Sequence, residues 1–329
     1  MWTFVLLIVV NIALILFFCH MFSNSVENLG KKLNLGDGVV GSVLSAVGTA
    51  LPETMIPIIA VISNKPSGNG ISTGAILGAP FMLSTLGFLV TGFAVFFYSS
   101  VNKRTIMLHV DKGIFSRDFF FFIISYIATI LISITKNKSI FYSGAMFLVL
   151  LYFIYIVSTL KHQGGKEEAA PTLMLSRITR SSGMIVILLQ LALSLIGIIL
   201  ASEEFVDNIN RMSTTLGISS FVLSMIISPI ITELPEKFNS IMWIRSRKDN
   251  LALGNITGAM VFQSTIPVAF GLAATNWNLN TTSLFIMTLT LISALVQYLY
   301  LETKETISPF VLTLSGLLYG VFIYVILVP

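Results

Sequence analysis

The sequence predicts an all-α polytopic membrane protein of about ten transmembrane helices, in two inverted five-helix repeats with broken second and seventh helices. Three observations carry that expectation. Hydrophobic residues make up 55% of the chain and charged residues only 10%, with a mean hydropathy of +0.91; a soluble domain carries about 25% charged residues. Apolar segments of roughly 20 residues, the length that crosses a bilayer as a helix, recur along the whole chain. A short motif, Leu-Pro-Glu inside an apolar run, occurs twice, at 51–53 and 234–236.

The expected spans are residues 2–22, 38–62, 72–98, 118–135, 139–160, 182–201, 213–243, 252–274, 282–300 and 307–328. No alternating barrel pattern appears, and backbone groups in lipid need partners within their own segment, so the spans are read as helices. The first run lacks a basic leader and is long enough to span, which reads as a retained helix and not a signal peptide. The single Cys19 excludes an internal disulfide and a cysteine-based metal site. The aromatic run DFFFFIISY, 118–126, reads as ordinary lipid-facing or packing surface.

The net charge of +4 and pI near 9.1 suit topology signals better than nucleic-acid binding. Alternate loops hold Lys31 and Lys32; Lys103, Arg104, Lys112 and Arg117; Lys161, Lys166, Arg177 and Arg180; Arg245, Arg247 and Lys248; and Lys304. The intervening loops hold only Lys65, Lys136, Lys138 and Arg211. Cytoplasmic loops are the basic ones, so both termini are expected outside, with the plasma membrane as the expected location. Residues 161–181, with Gly-Gly, Pro and mixed charge, read as a cytoplasmic linker. It separates a first five-helix repeat, 1–160, from a second, 182–329.

The two motifs are parts of one longer repeat. At the offset that superposes Pro52-Glu53 on Pro235-Glu236, Phe22 meets Phe205, Asn24 meets Asp207, Val39 meets Val222, Ser45 meets Ser228 and Thr49 meets Thr232. Each motif is followed by a glycine-spaced span, GAILGAPFML (74–83) and GNITGAMVFQ (254–263). Five spans is an odd number, so the second repeat enters the membrane from the opposite side. Inverted repeats with interrupted helices are the architecture of secondary transporters, with ions bound near the midplane. Pro52 and Pro235 each remove a helical N–H, and the carbonyls and helix ends so freed can hold cations.

GTALPE (48–53) and ITELPE (231–236), each followed by G-x-x-x-G, resemble the two α-repeats of the sodium/calcium exchanger membrane region, in the calcium:cation antiporter superfamily. The family pattern is close to G-T-S-L-P-E and then G-N-x-x-G-S-N-x-x-N/D. The resemblance covers the chain in topology and is concentrated in residues 22–83 and 205–263. It implies an antiporter, not an enzyme, that moves Ca²⁺ in exchange for Na⁺ by alternating access, without a cofactor. The implied partners are the lipid bilayer and inorganic cations, with no nucleic acid or nucleotide. It also implies a calcium site at Glu53, Glu236, Thr49 and Thr232. Ca²⁺ takes six to eight oxygens, carboxylates among them, and intramembrane carboxylates are costly unless they serve such a role.

The chain departs from the family pattern around that centre. The serine after the threonine is Ala50 in one half and Glu233 in the other. The amide or acid closing the glycine-spaced span is Leu83 in one half and Gln263 in the other, and the small residue three before the threonine is Ala46 or Pro229. In the family these positions line the sodium sites, so Gln263 and Glu233 remain candidate ligands while the sodium surroundings look depleted. Lys237 stands four residues after Glu233, the favourable order for a helical ion pair. It is expected to neutralise that carboxylate, and is a candidate fixed charge in place of a sodium ion.

Protons are the rival counter-ion, carried by Glu53 and Glu236, and a passive cation channel is the remote alternative. An intramembrane metalloprotease would want an H-E-x-x-H set, which His20, His109 and His162 do not supply; no G-x-x-x-x-G-K loop appears either. Asn255 and Thr257 are candidates for a pathway lining or for helix packing. Gly74, Gly78, Gly254 and Gly258 are expected at close helix contacts. Asn24 and Asp207, matched at span ends, are weak candidates for an ion-access role.

Overall fold

The computed structural model describes residues 2–33, 51–63, 65–160 and 172–327. Those residues are helices joined by short turns: α1 (Trp2–Lys32), α2 (Leu51–Ile62), α3 (Gly68–Met82), a π-helical turn (Leu83–Gly87), α4 (Phe88–Ser100), α5 (Lys112–Ile134), α6 (Lys138–Leu160), α7 (Ser176–Thr179), α8 (Met184–Leu216), α9 (Ser220–Arg245), α10 (Asp249–Ala274), α11 (Thr281–Lys304) and α12 (Pro309–Leu327). Seven helices among the described residues are long and apolar enough to cross a membrane, and shorter apolar helices lie at 53–62, 220–229 and 309–325. The protein is a multi-pass integral membrane protein.

Helix ends overrun the apolar segments that announced them. α1 continues ten residues beyond the expected end at 22, and α8 runs on to Leu216, where Gly217 takes the left-handed conformation that stops a helix. Polar caps set other starts. Asp111 Oδ1 accepts from Gly113 N and Ile114 N to open α5, and Asn280 Oδ1 accepts from Ser283 N to open α11.

One break predicted from the sequence does not occur. α9 runs without interruption from Ser220 through Pro229 and Pro235 to Arg245. Proline inside a membrane helix costs one hydrogen bond, and neighbouring helices and local adjustment re-satisfy the freed group. The first motif is described only from Leu51, with Pro52 in the first described turn of α2. The other side of the predicted break in the second span, 34–50, lies outside the described residues.

The chain forms two compact units, each drawing segments from both halves of the sequence. One comprises residues 1–72 and 153–224. Its axis is the long pairing of α1 with α8, against which α2 also packs. Asn24 and Gln190 tie this pair to the end of the predicted linker. Asn24 Nδ2 donates to Thr172 O at 3.2 Å, Met174 N donates to Asn24 Oδ1 at 2.9 Å, Leu175 N to Gln190 Oε1 at 2.6 Å, and Gln190 Nε2 to Asn24 Oδ1 at 3.0 Å. Asn24 is therefore occupied in fastening a loop. Asp207, its counterpart in the repeat, pairs with Lys65.

The other unit comprises residues 73–152 and 225–329. α5 packs along α10 and α11, and α4 along α12. Lipid supplies no hydrophobic drive between helices, so close approach and polar contacts hold them. At the α4–α12 crossing a Cβ on Gly92 would fall 2.4 Å from Thr313 Oγ1, and one on Gly316 would fall 2.7 Å from Leu89 Cδ1. α5 and α10 run parallel in constant register. Asp111 N donates to Asn250 Oδ1, Thr257 Oγ1 to Asp118 Oδ2 at 2.7 Å, and Ser125 and Ser264 share a hydrogen bond at 2.6 Å.

Candidate cation site

The first motif places Glu53 in the opening turn of α2, where the helix dipole favours a carboxylate. Glu53 is 6% exposed, and Ile56 and Ala60 on the same helix are fully buried. An intramembrane acid so enclosed is the kind of group that marks an ion pathway. Thr49, Ala46 and Ala50 lie outside the described residues.

The second motif lies on α9. The backbone carries Thr232 and Glu236 on that helix, and their side chains lie outside the described residues. Glu233 is 0% exposed and Lys237 2%. The ion pair expected between these two is not closed. Glu233 Oε1 accepts from Gln263 Nε2 of α10 at 3.1 Å. Lys237 extends towards the π-helical turn, where its Cε lies 3.3 Å from the position of a Cβ on Gly87, and its Nζ meets no hydrogen-bond acceptor among the described residues. The two side chains leave the same helix face for different neighbours, which is why i,i+4 spacing does not yield a contact pair. Among the described residues Gln263 Oε1 meets no hydrogen-bond donor, an oxygen available to a cation.

The first glycine-spaced span approaches this helix closely at Gly78. A Cβ on Gly78 would fall 2.3 Å from Met225 O, so α3 crosses α9 backbone to backbone, as the spacing predicts. Gly254 has open space around it and is no such contact. Leu83, which stands where the family has an amide or acid, is fully buried and begins the π-helical turn. Its hydroxyl neighbour Ser84 bonds back to Phe81 O at 3.1 Å, and Ser84 O accepts from Ser293 Oγ. A single π turn inside a long helix is frequent at functional sites, and here it lies directly against the Lys237 stem.

Sequence reasoning passed over two buried charges. Asp118, within the run taken for lipid-facing surface, is 2% exposed; Arg117 Nη2 lies 3.1 Å from its Oδ1, and Thr257 donates to its Oδ2. That contact assigns Thr257 to helix packing and not to a bare pathway wall. Asp249 is gripped by Arg104 through both carboxylate oxygens, at 2.7 and 3.0 Å. The only available signal was an acid within a basic loop. Among the described residues no group of three His, Cys, Asp or Glu gathers as a metal site. A cavity of about 850 Å³ lies between the 106–111 and 305–310 segments, and its lining includes none of the motif residues.

A model of the sodium/calcium exchanger protein family matches residues 3–161 and 186–328. The chain belongs to the sodium/calcium exchanger protein family. This is a family of transporters and not of enzymes, and it supports antiport of Ca²⁺ against another cation. The chain is 24% identical over 277 residues to the inner membrane protein YrbG of Escherichia coli (strain K12), covering 82% of this chain and 78% of that protein. It is 21% identical over 263 residues to the putative antiporter CaxA of Alkalimonas amylolytica, covering 78% and 76%. The fold is that of the H⁺/Ca²⁺ exchanger CAX (TM-score 0.75, 18% identity, 99% of this chain and 82% of that one). The sodium-calcium exchanger NCX_Mj also shares it (TM-score 0.59, 22% identity, 98% of each chain).

Proposed function

We propose that the protein is a secondary antiporter that moves Ca²⁺ across the membrane in exchange for Na⁺, by alternating exposure of one site. The observation that carries the reading is the duplicated Leu-Pro-Glu motif in an exchanger-family chain, with Glu53 buried in the first turn of its helix. Glu53 and Glu236 supply the carboxylate oxygens that a hard divalent ion needs, Thr49 and Thr232 add hydroxyls, and Glu233 of the second motif and Gln263 of the span after it are the further ligands. Ten spans in two inverted repeats, 1–160 and 182–329, joined by a cytoplasmic linker at 161–181, give the site access to each side in turn. Basic-loop alternation supports both termini outside, in the plasma membrane.

Proton coupling is the second reading, and specific observations favour it. Leu83 contributes a buried apolar side chain where the family offers a sodium ligand, and the amide of Gln263 is engaged by Glu233. In that version the same glutamates carry protons on the return step.

Reconstituted liposomes loaded with Ca²⁺ separate these readings. Efflux driven by an inward Na⁺ gradient at fixed pH is the expected result. Efflux that follows an imposed pH step and ignores Na⁺ would replace sodium by protons. Efflux that needs no counter-ion on the far side would make the protein a channel.

A further inference from the structure

One end of the unit formed by residues 73–152 and 225–329 is hollow. The cavity of about 850 Å³ lies there, among the end of α4, the loop before α5, the start of α10, the end of α11 and the start of α12. Sites for small ligands are about 300–1,000 Å³. The ends of membrane-crossing helices lie at the level of the lipid headgroups, so the cavity stands in that layer.

Its lining divides by chemistry. Leu108 and Ile307 are 4% and 2% exposed, and Pro309 is buried beside them, which makes an apolar floor. Met107 and Phe310, of the same lining, are 70% and 62% exposed. The charged part holds two carboxylates, Asp111 and Glu305, and no lysine or arginine among the described residues. Yet the same helix ends and loops carry Lys103, Lys112, Arg247, Lys248 and Lys304. A basic surface of that kind collects anionic lipid, whereas the cavity itself is lined for a cation. One lysine stands at its edge: Lys112 follows Asp111 in the chain, and its Nζ donates to Glu305 Oε1 at 3.1 Å. Acceptors for an ammonium and a cation for a phosphate therefore stand side by side at the edge of an apolar floor.

We propose that this cavity binds a phospholipid with a zwitterionic primary-amine headgroup, of the phosphoethanolamine class. The ammonium bonds the carboxylates of Asp111 and Glu305, the phosphate takes Lys112, and the glycerol end with its first methylenes covers Leu108, Ile307 and Pro309. A primary ammonium offers three N–H donors to those acceptors; a quaternary choline offers none, and a phosphoglycerol headgroup brings an anion to two carboxylates. Across the cavity Thr306 Oγ1 reaches Leu108 O only at 3.4 Å, so a lipid seated between the two walls holds them together and stabilises the fold. The site is separate from the Leu-Pro-Glu motifs, and the proposal does not rest on Ca²⁺ exchange.

The test is a thermal melt of the purified full chain in maltoside micelles, with short-chain phosphatidylethanolamine, phosphatidylcholine or phosphatidylglycerol added at equal mole fraction. Phosphatidylethanolamine is expected to raise the melting temperature several degrees more than either of the others. Asp111→Asn with Glu305→Gln removes both charges, and asparagine caps α5 as well as aspartate does. The mole fraction of phosphatidylethanolamine needed for half the shift should then rise roughly tenfold, the scale of losing a hydrogen bond to a charged group. Glu305→Gln alone changes an exposed side chain and should give part of that loss, which keeps the test decisive if the double variant folds poorly. Equal shifts with the three lipids, a larger shift with phosphatidylglycerol, or a phosphatidylethanolamine shift unchanged in the variants would each overturn the proposal. Free phosphoethanolamine distinguishes the source of the headgroup. It is expected to give no shift, because it leaves the apolar floor uncovered; a shift equal to that of the lipid would overturn the lipid assignment in favour of a soluble amine phosphate.

Discussion

Gln263 Nε2 donates to Glu233 Oε1 at 3.1 Å, joining α10 to α9 through two side chains that are both buried. The bond fills the place on the second glycine-spaced span where the family resemblance expects an ion ligand. It also leaves the amide oxygen without a hydrogen-bond partner among the described residues. Replacing Gln263 by Leu removes the donor and keeps the bulk. Taking one partner from a buried hydrogen bond costs about 1–3 kcal/mol, so the variant should melt several degrees below the parent protein in detergent. Ca²⁺ exchange should weaken as well, because the same change deletes an oxygen. A variant with parental melting and parental flux would show that the bond neither holds the helices nor serves the ion.

The duplicated glutamates make a sharper prediction. Glu53→Gln and Glu236→Gln each keep the shape of the side chain and remove its charge. Either change should abolish Ca²⁺ flux in liposomes while the protein still elutes as a folded species in gel filtration. Flux retained in both would remove these residues from the transport site and leave the proposed reaction without a ligand for its ion.

Much of this architecture could be read directly, and the remainder failed for physical reasons that particular residues make plain. Helix class and membrane location followed from hydropathy, since lipid leaves a chain few other choices. Helix limits did not, because the last turns of α1 and α8 are polar stretches that hydropathy does not mark as helix. Pro235 looked like a breaker, yet a helix held in a packed bundle absorbs one missing hydrogen bond. The Leu-Pro-Glu motifs were legible because two copies in one order cannot be composition alone. Asp118 was not, because its partner Thr257 stands on a different span. The Glu233–Lys237 spacing misled because i,i+4 geometry gives proximity along one helix and cannot foresee that Gln263 and Gly87 draw the two side chains apart.

Two glycines of the same spacing pattern should respond oppositely to alanine. A methyl on Gly78 would collide with Met225 O at 2.3 Å, and the obstacle is backbone that cannot swing aside. Overpacking of that kind costs about 1–3 kcal/mol, so Gly78→Ala should lower the melting temperature and the yield of folded protein. Gly254→Ala enters open space and should stay within about 0.5 kcal/mol of the parent. Equal behaviour of the two variants in a thermal melt would contradict the backbone contact between α3 and α9.

The buried fork at Arg104 and Asp249 gives the largest expected change in stability. Both side chains are 1% exposed. Besides gripping the carboxylate, Arg104 donates to the carbonyls of Thr105, Met107 and Ile244, and Asp249 also accepts from His109 N. The loop between α4 and α5 is thereby fastened to the end of α9 and the start of α10. Arg104→Ala leaves a carboxylate buried without its counter-charge, a change that costs about 3–5 kcal/mol. Arg104→Lys restores the charge but lacks the planar fork that reaches two oxygens and several carbonyls at once, and should recover only part of the loss. Replacing both partners, as in Arg104→Met with Asp249→Asn, should be milder than Arg104→Ala alone, since no unpaired charge then stays in the interior. Thermal melts of the three proteins give the order. If Arg104→Ala proved the mildest of them, the ion pair would be incidental and the loop would be held by its backbone contacts alone.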